Sequence, residues 1–284
     1  MIIYNQLNFK SFNTLRINTL IEYMFEVINE QEIFILQFLF NYFDIKYYVI
    51  GNASKVLFSQ EYIKRPIIYI NKSFSNLYIS KDKLIVSSGY KLDKLIINLA
   101  KMNISIFENL YPIPATIGGA LAMNAGDNQS SISDNLYKVI VLDKNNNIKV
   151  LNKKECLFSY RHSNLKDKYI ILYAIFFINK KEYNEILKTI SNSLKYRSIH
   201  QPTNINSCGS LFKNTKKYKA YEVISKLNLK NICFGNAKLA SKHCNFLDLS
   251  EETKAIDVIN LIKFIQKNAK NQLNIDLDPE IVLY

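Results

Sequence analysis

Residues 111–126 read YPIPATIGGALAMNAG, and they hold Gly118, Gly119 and Gly126 in a chain with only seven glycines among 284 residues. Pro112 and Pro114 stiffen the approach. The glycine pair sits among the small residues Ala115, Thr116, Ala120 and Ala122. Such a run lets a backbone come close to a bulky group, with N–H groups turned toward a diphosphate or a flavin edge. A tight turn packed into a core would use the same residues. What lies on either side of the stretch decides between the two.

Upstream, residues 91–101 place Leu92, Leu95, Ile96, Leu99 and Ala100 at helical spacing. Residues 66–70, 76–79 and 84–87 read as strands, with Gly89 following. A helix is expected over 30–43 and a strand over 21–27. A short β-rich run at 47–50 ends at Gly51-Asn52-Ala53-Ser54-Lys55-Val56-Leu57. A strand feeding a small polar turn suits a phosphate, and equally a hairpin turn. Residues 6–17 carry Asn13-Thr14-Leu15-Arg16.

Downstream, 136–143 and 148–151 form a hairpin about a turn at 145–147. Residues 154–158 lead into Tyr160-Arg161-His162-Ser163, and 169–178 is a strongly apolar strand. A helix over 181–197 is expected to open a second unit. After a polar linker at 201–206 comes Ser207-Cys208-Gly209-Ser210-Leu211-Phe212-Lys213-Asn214. Helices follow at 220–227 and 251–271, with strands at 245–249 and 278–283. No internal repeat or low-complexity tract is visible.

The composition bounds the rest. The chain is 48% apolar and long enough for two or three domains, so it is globular. A formal net charge of +13 would suit an anionic partner. The excess, however, is Lys spread along the chain among many Asn and Ile. No dense basic run or nucleic-acid motif occurs, and no nucleic-acid partner is expected. Arginine is confined to Arg16, Arg65, Arg161 and Arg197. Where composition has drifted to Lys, a retained Arg marks a place that needs the planar fork. Cys156, Cys208, Cys233 and Cys244 show no C-x-x-C pairing, and His162, His200 and His243 no ligand spacing. Neither a disulfide framework nor a metal site is expected. The apolar run at 33–40 is short and broken by Gln37. No membrane insertion or signal peptide is read, and the expectation is a cytoplasmic monomer.

Taken in order, eight stretches resemble the UDP-N-acetylenolpyruvoylglucosamine reductase (MurB) family, in its compact form without a Tyr-loop insertion. They are 13–16, 51–57, 111–126, 160–163, 201–202, 209–214, 241–246 and 276–282, and all seven glycines fall where the family pattern has glycine. The resemblance implies an α+β fold. A two-part FAD-binding unit of the vanillyl-alcohol-oxidase-like (PCMH) type is expected over 1–179, divided near residue 72. A smaller substrate domain is expected over 180–284, with the active site between the two. There are departures. Ala53 and Lys55 stand where the family has Gly and Asn, Pro112-Ile113-Pro114-Ala115 replaces Gly-Ile-Pro-Gly, and Asn236 replaces a common second Gly. At Ala53, either the loop keeps ordinary dihedrals or flavin affinity suffers. Lys55 could offset lost contacts by pairing with a phosphate.

The family's reaction reduces an enolpyruvyl ether to a lactyl ether, converting UDP-N-acetylglucosamine enolpyruvate to UDP-N-acetylmuramate for peptidoglycan. NADPH gives hydride to noncovalent FAD, whose N5 delivers it to C3. The carbanion developing at C2 must then be stabilised and protonated. On this resemblance Arg161 grips the substrate carboxylate, Ser210 supplies the proton and Glu280 partners the carboxylate. The bland readings are a surface ion pair, a turn serine or helix cap, and an exposed carboxylate. Gly51, Asn52, Ala53, Ser54, Lys55, Val56 and Leu57 are expected at the FAD diphosphate. Thr116, Ile117, Gly118, Gly119 and Ala120 form the second wall. Lys213 and Asn214 are expected to meet the substrate's diphosphate or sugar. Rival readings are an alcohol-oxidising flavoenzyme of the same group, or a decayed homologue without catalysis.

Overall fold

The near-continuous apolar run at 169–177 becomes a strand buried on both faces. In the computed structural model, which describes residues 1–127, 130–229 and 232–284, Tyr169–Phe177 is the middle strand of a five-stranded antiparallel sheet. The order is Ile148–Asn152, Leu136–Asp143, Tyr169–Phe177, Lys83–Ser87, Leu77–Ser80. A register shift between Ile140 and Val141 disturbs the pairing with Leu136–Asp143. Ile171, Ala174 and Phe176 join a core with Leu92, Leu95, Leu99, Ile117 and Leu121. Ile170 and Leu172 join another with Ile33, Leu36, Phe40 and Phe74.

The helix Glu30–Tyr42 supplies Ile33, Leu36 and Phe40 from one face, and the Asn29 side chain caps its start by accepting from Glu32 N. It is the crossover between parallel strands. Met24, Phe25 and Glu26 pair with Ile67, Ile68 and Tyr69, which pair in turn with Tyr48, Val49 and Ile50.

Two compact units result. The first comprises Met1–Asn5, Tyr23–Asn52 and Arg65–Lys195, and the second Gln6–Glu22, Ala53–Lys64 and Tyr196–Tyr284. This departs from the continuous division at 179/180. The helix Tyr183–His200 is divided: Ile186 and Ile190 are buried in the first unit's core, and the second unit resumes only at Tyr196. Conversely, Leu15, Ile17 and Leu57 belong to the second unit's core, with Leu211, Phe212, Val258 and Ile262. Backbone pairing gives the reason: Val56 and Leu57 run parallel to Val282 and Leu283.

In the second unit the three-stranded sheet Cys233–Phe234, Ala237–Leu239, Leu247–Leu249 is antiparallel. The amphipathic helix Ala255–Leu273 buries Val258, Leu261, Ile262 and Ile265 in the same core. The mixture of segregated sheets and helices is α+β, as the resemblance implied. Among the described residues no helix is long and apolar enough to cross a membrane.

Candidate active site

The stretch 111–126 is not a plain turn. Thr116 caps a short helix, Ile117–Ala122, its hydroxyl accepting from Gly119 N at 3.2 Å. The glycines have separate reasons. A Cβ on Gly118 would lie 2.9 Å from that of Ser88, whose carbonyl accepts from Gly118 N at 2.8 Å. Gly118 therefore serves close packing. A Cβ on Gly119 would meet only Thr116 Oγ1, at 3.4 Å. A Cβ on Gly51 would strike that same hydroxyl at 2.4 Å, and Asn52 Nδ2 donates to Pro114 O at 2.8 Å. The start of the first loop thus rests on the second stretch.

Beyond Asn52 the first loop enters the second unit. Ala53 is buried with φ +50°, in the left-handed region that disfavours a β-carbon. The loop therefore keeps the glycine-type conformation with alanine in it. Ala115 and Asn236, the other departures, are not among the positive-φ residues. Thr14 Oγ1 donates to Ser54 O at 3.3 Å, which gives the 13–16 stretch a role in holding the loop that its sequence did not disclose.

Arg161 lies in a tight turn closed by the Ser159–His162 bridge, with φ +52°. Its Nη2 donates to Gly126 O at 2.7 Å, and its guanidinium carbon lies 5.1 Å from the centre of the Tyr160 ring. Ser163 Oγ donates to Ala122 O at 2.9 Å, so the turn is docked on the end of the 111–126 stretch. Arg161 lines a polar pocket with Asn124, Asp127, Ser131, Asp134 and Tyr160. It is not a plain surface arginine.

In the second unit three distant segments are stitched together. Val282 N donates to Lys55 O at 2.7 Å and Glu280 N to Leu211 O at 2.8 Å. The buried Asn245 side chain brackets Phe212, accepting from its N and donating to its O at 2.9 Å each. This backbone brings Ser210, Glu280 and Lys55 into one cluster. Lys55 Nζ lies 3.0 Å from Glu280 Oε1 and donates to Ser210 O at 2.6 Å. Glu280 is buried and not an exposed carboxylate. Lys213 pairs with Asp278 at 2.7 Å, and Asn214 Oδ1 accepts from Ala220 N at 2.9 Å at the head of the helix Ala220–Lys226.

Among the described residues the buried polar atoms without a hydrogen-bond partner include Ser88 Oγ, Asn124 Oδ1 and Ser207 Oγ. Each adjoins a candidate stretch: Gly118, the Arg161 pocket and the Cys208-Gly209-Ser210 turn respectively. Unpaired buried polar atoms are few in folded proteins, and each calls for an explanation. With the open side of Gly119, Ser88 and Asn124 of the first unit suit a polar cofactor such as a flavin nucleotide.

Residues 25–152 match the family described as FAD binding domain, and residues 201–284 the one described as UDP-N-acetylenolpyruvoylglucosamine reductase, C-terminal domain. The UDP-N-acetylenolpyruvoylglucosamine reductase of Caldanaerobacter subterraneus subsp. tengcongensis is 36% identical over 239 residues, 84% of this chain and 78% of that one. This chain belongs to the UDP-N-acetylenolpyruvoylglucosamine reductase family. UDP-N-acetylenolpyruvoylglucosamine reductase 1 of Bacillus cereus is 34% identical over 238 residues, 83% of this chain and 79% of its own. The crystal structure of UDP-N-acetylenolpyruvylglucosamine reductase (MurB) from Thermus caldophilus matches with a TM-score of 0.85 at 26% identity. It covers 98% of this chain and 97% of that one. Within this family's frame, Lys55 is the residue whose surroundings the sequence did not foretell. Its partners come from the far end of the chain, and only its departure from the family's Asn marked it.

Proposed function

We propose that this protein is an oxidoreductase that reduces UDP-N-acetylglucosamine enolpyruvate to UDP-N-acetylmuramate with NADPH. It acts in peptidoglycan precursor synthesis as a cytoplasmic, monomeric enzyme. The observation that carries the reading is the convergence of Ser210 and Glu280, both within the residues matched by the reductase C-terminal domain, on Lys55 from the stretch matched by the FAD binding domain.

Residues 51–54, 56–57 and 116–120 hold FAD without a covalent bond. Bound there, FAD would supply the hydride chemistry that links NADPH to C3 of the enolpyruvyl group. Arg161 grips the substrate carboxylate through its planar fork, which draws electron density away from C2. Ser210 delivers its hydroxyl proton to C2, on a loop fixed by the Asn245 bracket. A serine is a weak acid, but the centre it serves is a strong base. Glu280 partners the carboxylate through the second unit. Lys213 exchanges Asp278 for the substrate's diphosphate, while Asn214 meets the diphosphate or sugar.

Two measurements test this. The purified protein should be yellow, or become so with added FAD, and should consume NADPH rapidly only when the enolpyruvyl sugar is present. A colourless protein that takes up no FAD ends the reading, and NADPH consumption indifferent to the sugar ends the substrate assignment. Arg161→Lys keeps the charge and loses the fork. It should retain flavin and lose sugar reduction by well over the roughly 1 kcal/mol of a surface ion pair. Near-normal kcat in that variant would place Arg161 outside the reaction.

A further inference from the structure

The loop expected at the FAD diphosphate presents a lysine that is engaged elsewhere. Lys55 Nζ contacts Glu280 Oε1 at 3.0 Å and the Ser210 carbonyl oxygen at 2.6 Å. A Cβ on Gly209, at φ +75°, would stand 3.7 Å from Nζ. The Glu280 side chain is 8% exposed and that of Lys55 23%. A carboxylate so far from water is costly unless paired, and removing its partner leaves an uncompensated charge. The backbone fixes the meeting. Val56 pairs in parallel with Val282, and Glu280 N is bound to Leu211 O. A shorter, neutral side chain at this point would have neither the charge nor the four-carbon reach to make this bridge.

We propose that Lys55 is a positioning residue for reduction of the sugar and not a ligand of the FAD diphosphate. By pairing with Glu280 and holding the Ser210 carbonyl, it sets the placement of the carboxylate relative to the proton-donor loop. The roles of Ser210 and Glu280 in this statement rest on the reductase reading above. To reach a diphosphate, the ammonium would have to leave both the Glu280 carboxylate and the Ser210 carbonyl oxygen.

Lys55→Met keeps the aliphatic stem and removes the charge. FAD dissociation, read by flavin fluorescence on dilution of the holo-protein, should change by less than about threefold, as should anaerobic flavin reduction by NADPH. Reoxidation by the enolpyruvyl sugar should slow by about thirtyfold or more, with kcat moving far more than KM. Lys55→Arg should recover part of that loss. In a Glu280→Gln background, Lys55→Met should add no more than about threefold, because residues acting as a unit are not additive. A weakening of FAD binding by about tenfold or more, with normal half-reactions at saturating FAD, would overturn the proposal and make Lys55 a cofactor ligand. Unchanged reoxidation, or losses that multiply in full, would overturn it too. If the wild-type protein itself binds no FAD, or is not reoxidised by the sugar, the reductase reading fails instead. Thermal unfolding of the same four proteins then still judges the pair, and midpoint shifts that simply add would contradict it.

Discussion

At Ala53 a single methyl group meets an unfavourable backbone. The residue is buried at φ +50°, where a β-carbon costs about 1–2 kcal/mol. Replacing a buried alanine of ordinary dihedrals by glycine costs about 1 kcal/mol through chain entropy and lost contact. Here the relief of strain offsets that cost. Ala53→Gly should therefore leave stability unchanged or raise it by up to about 1 kcal/mol, and should tighten FAD by a few-fold at most. Denaturant midpoints and FAD titration check this, and a clear loss in either would mean that the loop has another geometry in solution. The sequence marked Ala53 as an oddity but left its dihedral open, because φ is set by the loop's anchors, Thr14 and Val282, which lie elsewhere in the chain. The glycine pair shows the same limit. Gly118 is explained by Ser88 beneath it and Gly119 by the space beside it, a distinction that identical letters cannot carry.

The strands of the central antiparallel sheet and the long helices were legible because each holds enough turns or alternations to declare a period, whereas the strand Ile2–Asn8 was not read. Glu30–Tyr42, Tyr169–Phe177 and Ala255–Leu273 fall where their spacing puts them. The helix Ile117–Ala122 was not, since six residues with two glycines have no period to read. The hairpin Leu136–Asp143/Ile148–Asn152 offers a test at this scale. Asp143 Oδ1 accepts from Asn145 N and Asn147 N at 2.9 Å each, and Oδ2 pairs with Lys149 Nζ at 2.8 Å. The bond to Lys149, followed by those from the turn amides, holds the Asp143 carboxyl down at about 2. The folded value lies below the unfolded one, roughly 3.9. Its contribution to stability is thus complete above the unfolded value and is lost as pH falls from about 4 toward 2. Asp143→Asn should lower the urea midpoint at pH 7 and flatten its decline over that acid range. Midpoints of variant and wild type that run parallel from pH 7 to below 3 would show that the turn does not depend on this carboxylate.

For the molecule as a whole, the order of short stretches along the chain pointed to the family, and several of them hold loops in place, as Thr14 holds Ser54 and Asn245 brackets Phe212. The division into units was not legible. Residues 6–22 and 53–64 join the second unit through core contacts and a parallel strand pair with the last residues of the chain, and no local pattern announces a partner that remote. The proposed donor of the proton that completes reduction of the sugar is Ser210, on the loop bracketed by Asn245 and held by Lys55. Anaerobic stopped-flow absorbance of Ser210→Ala separates the two half-reactions. Flavin reduction by NADPH develops no carbanion and should proceed almost as in wild type. Reoxidation by the enolpyruvyl sugar should slow by about 10²–10⁴-fold or more, with partial recovery in Ser210→Cys. Equal slowing of both steps, or of neither, would contradict the account.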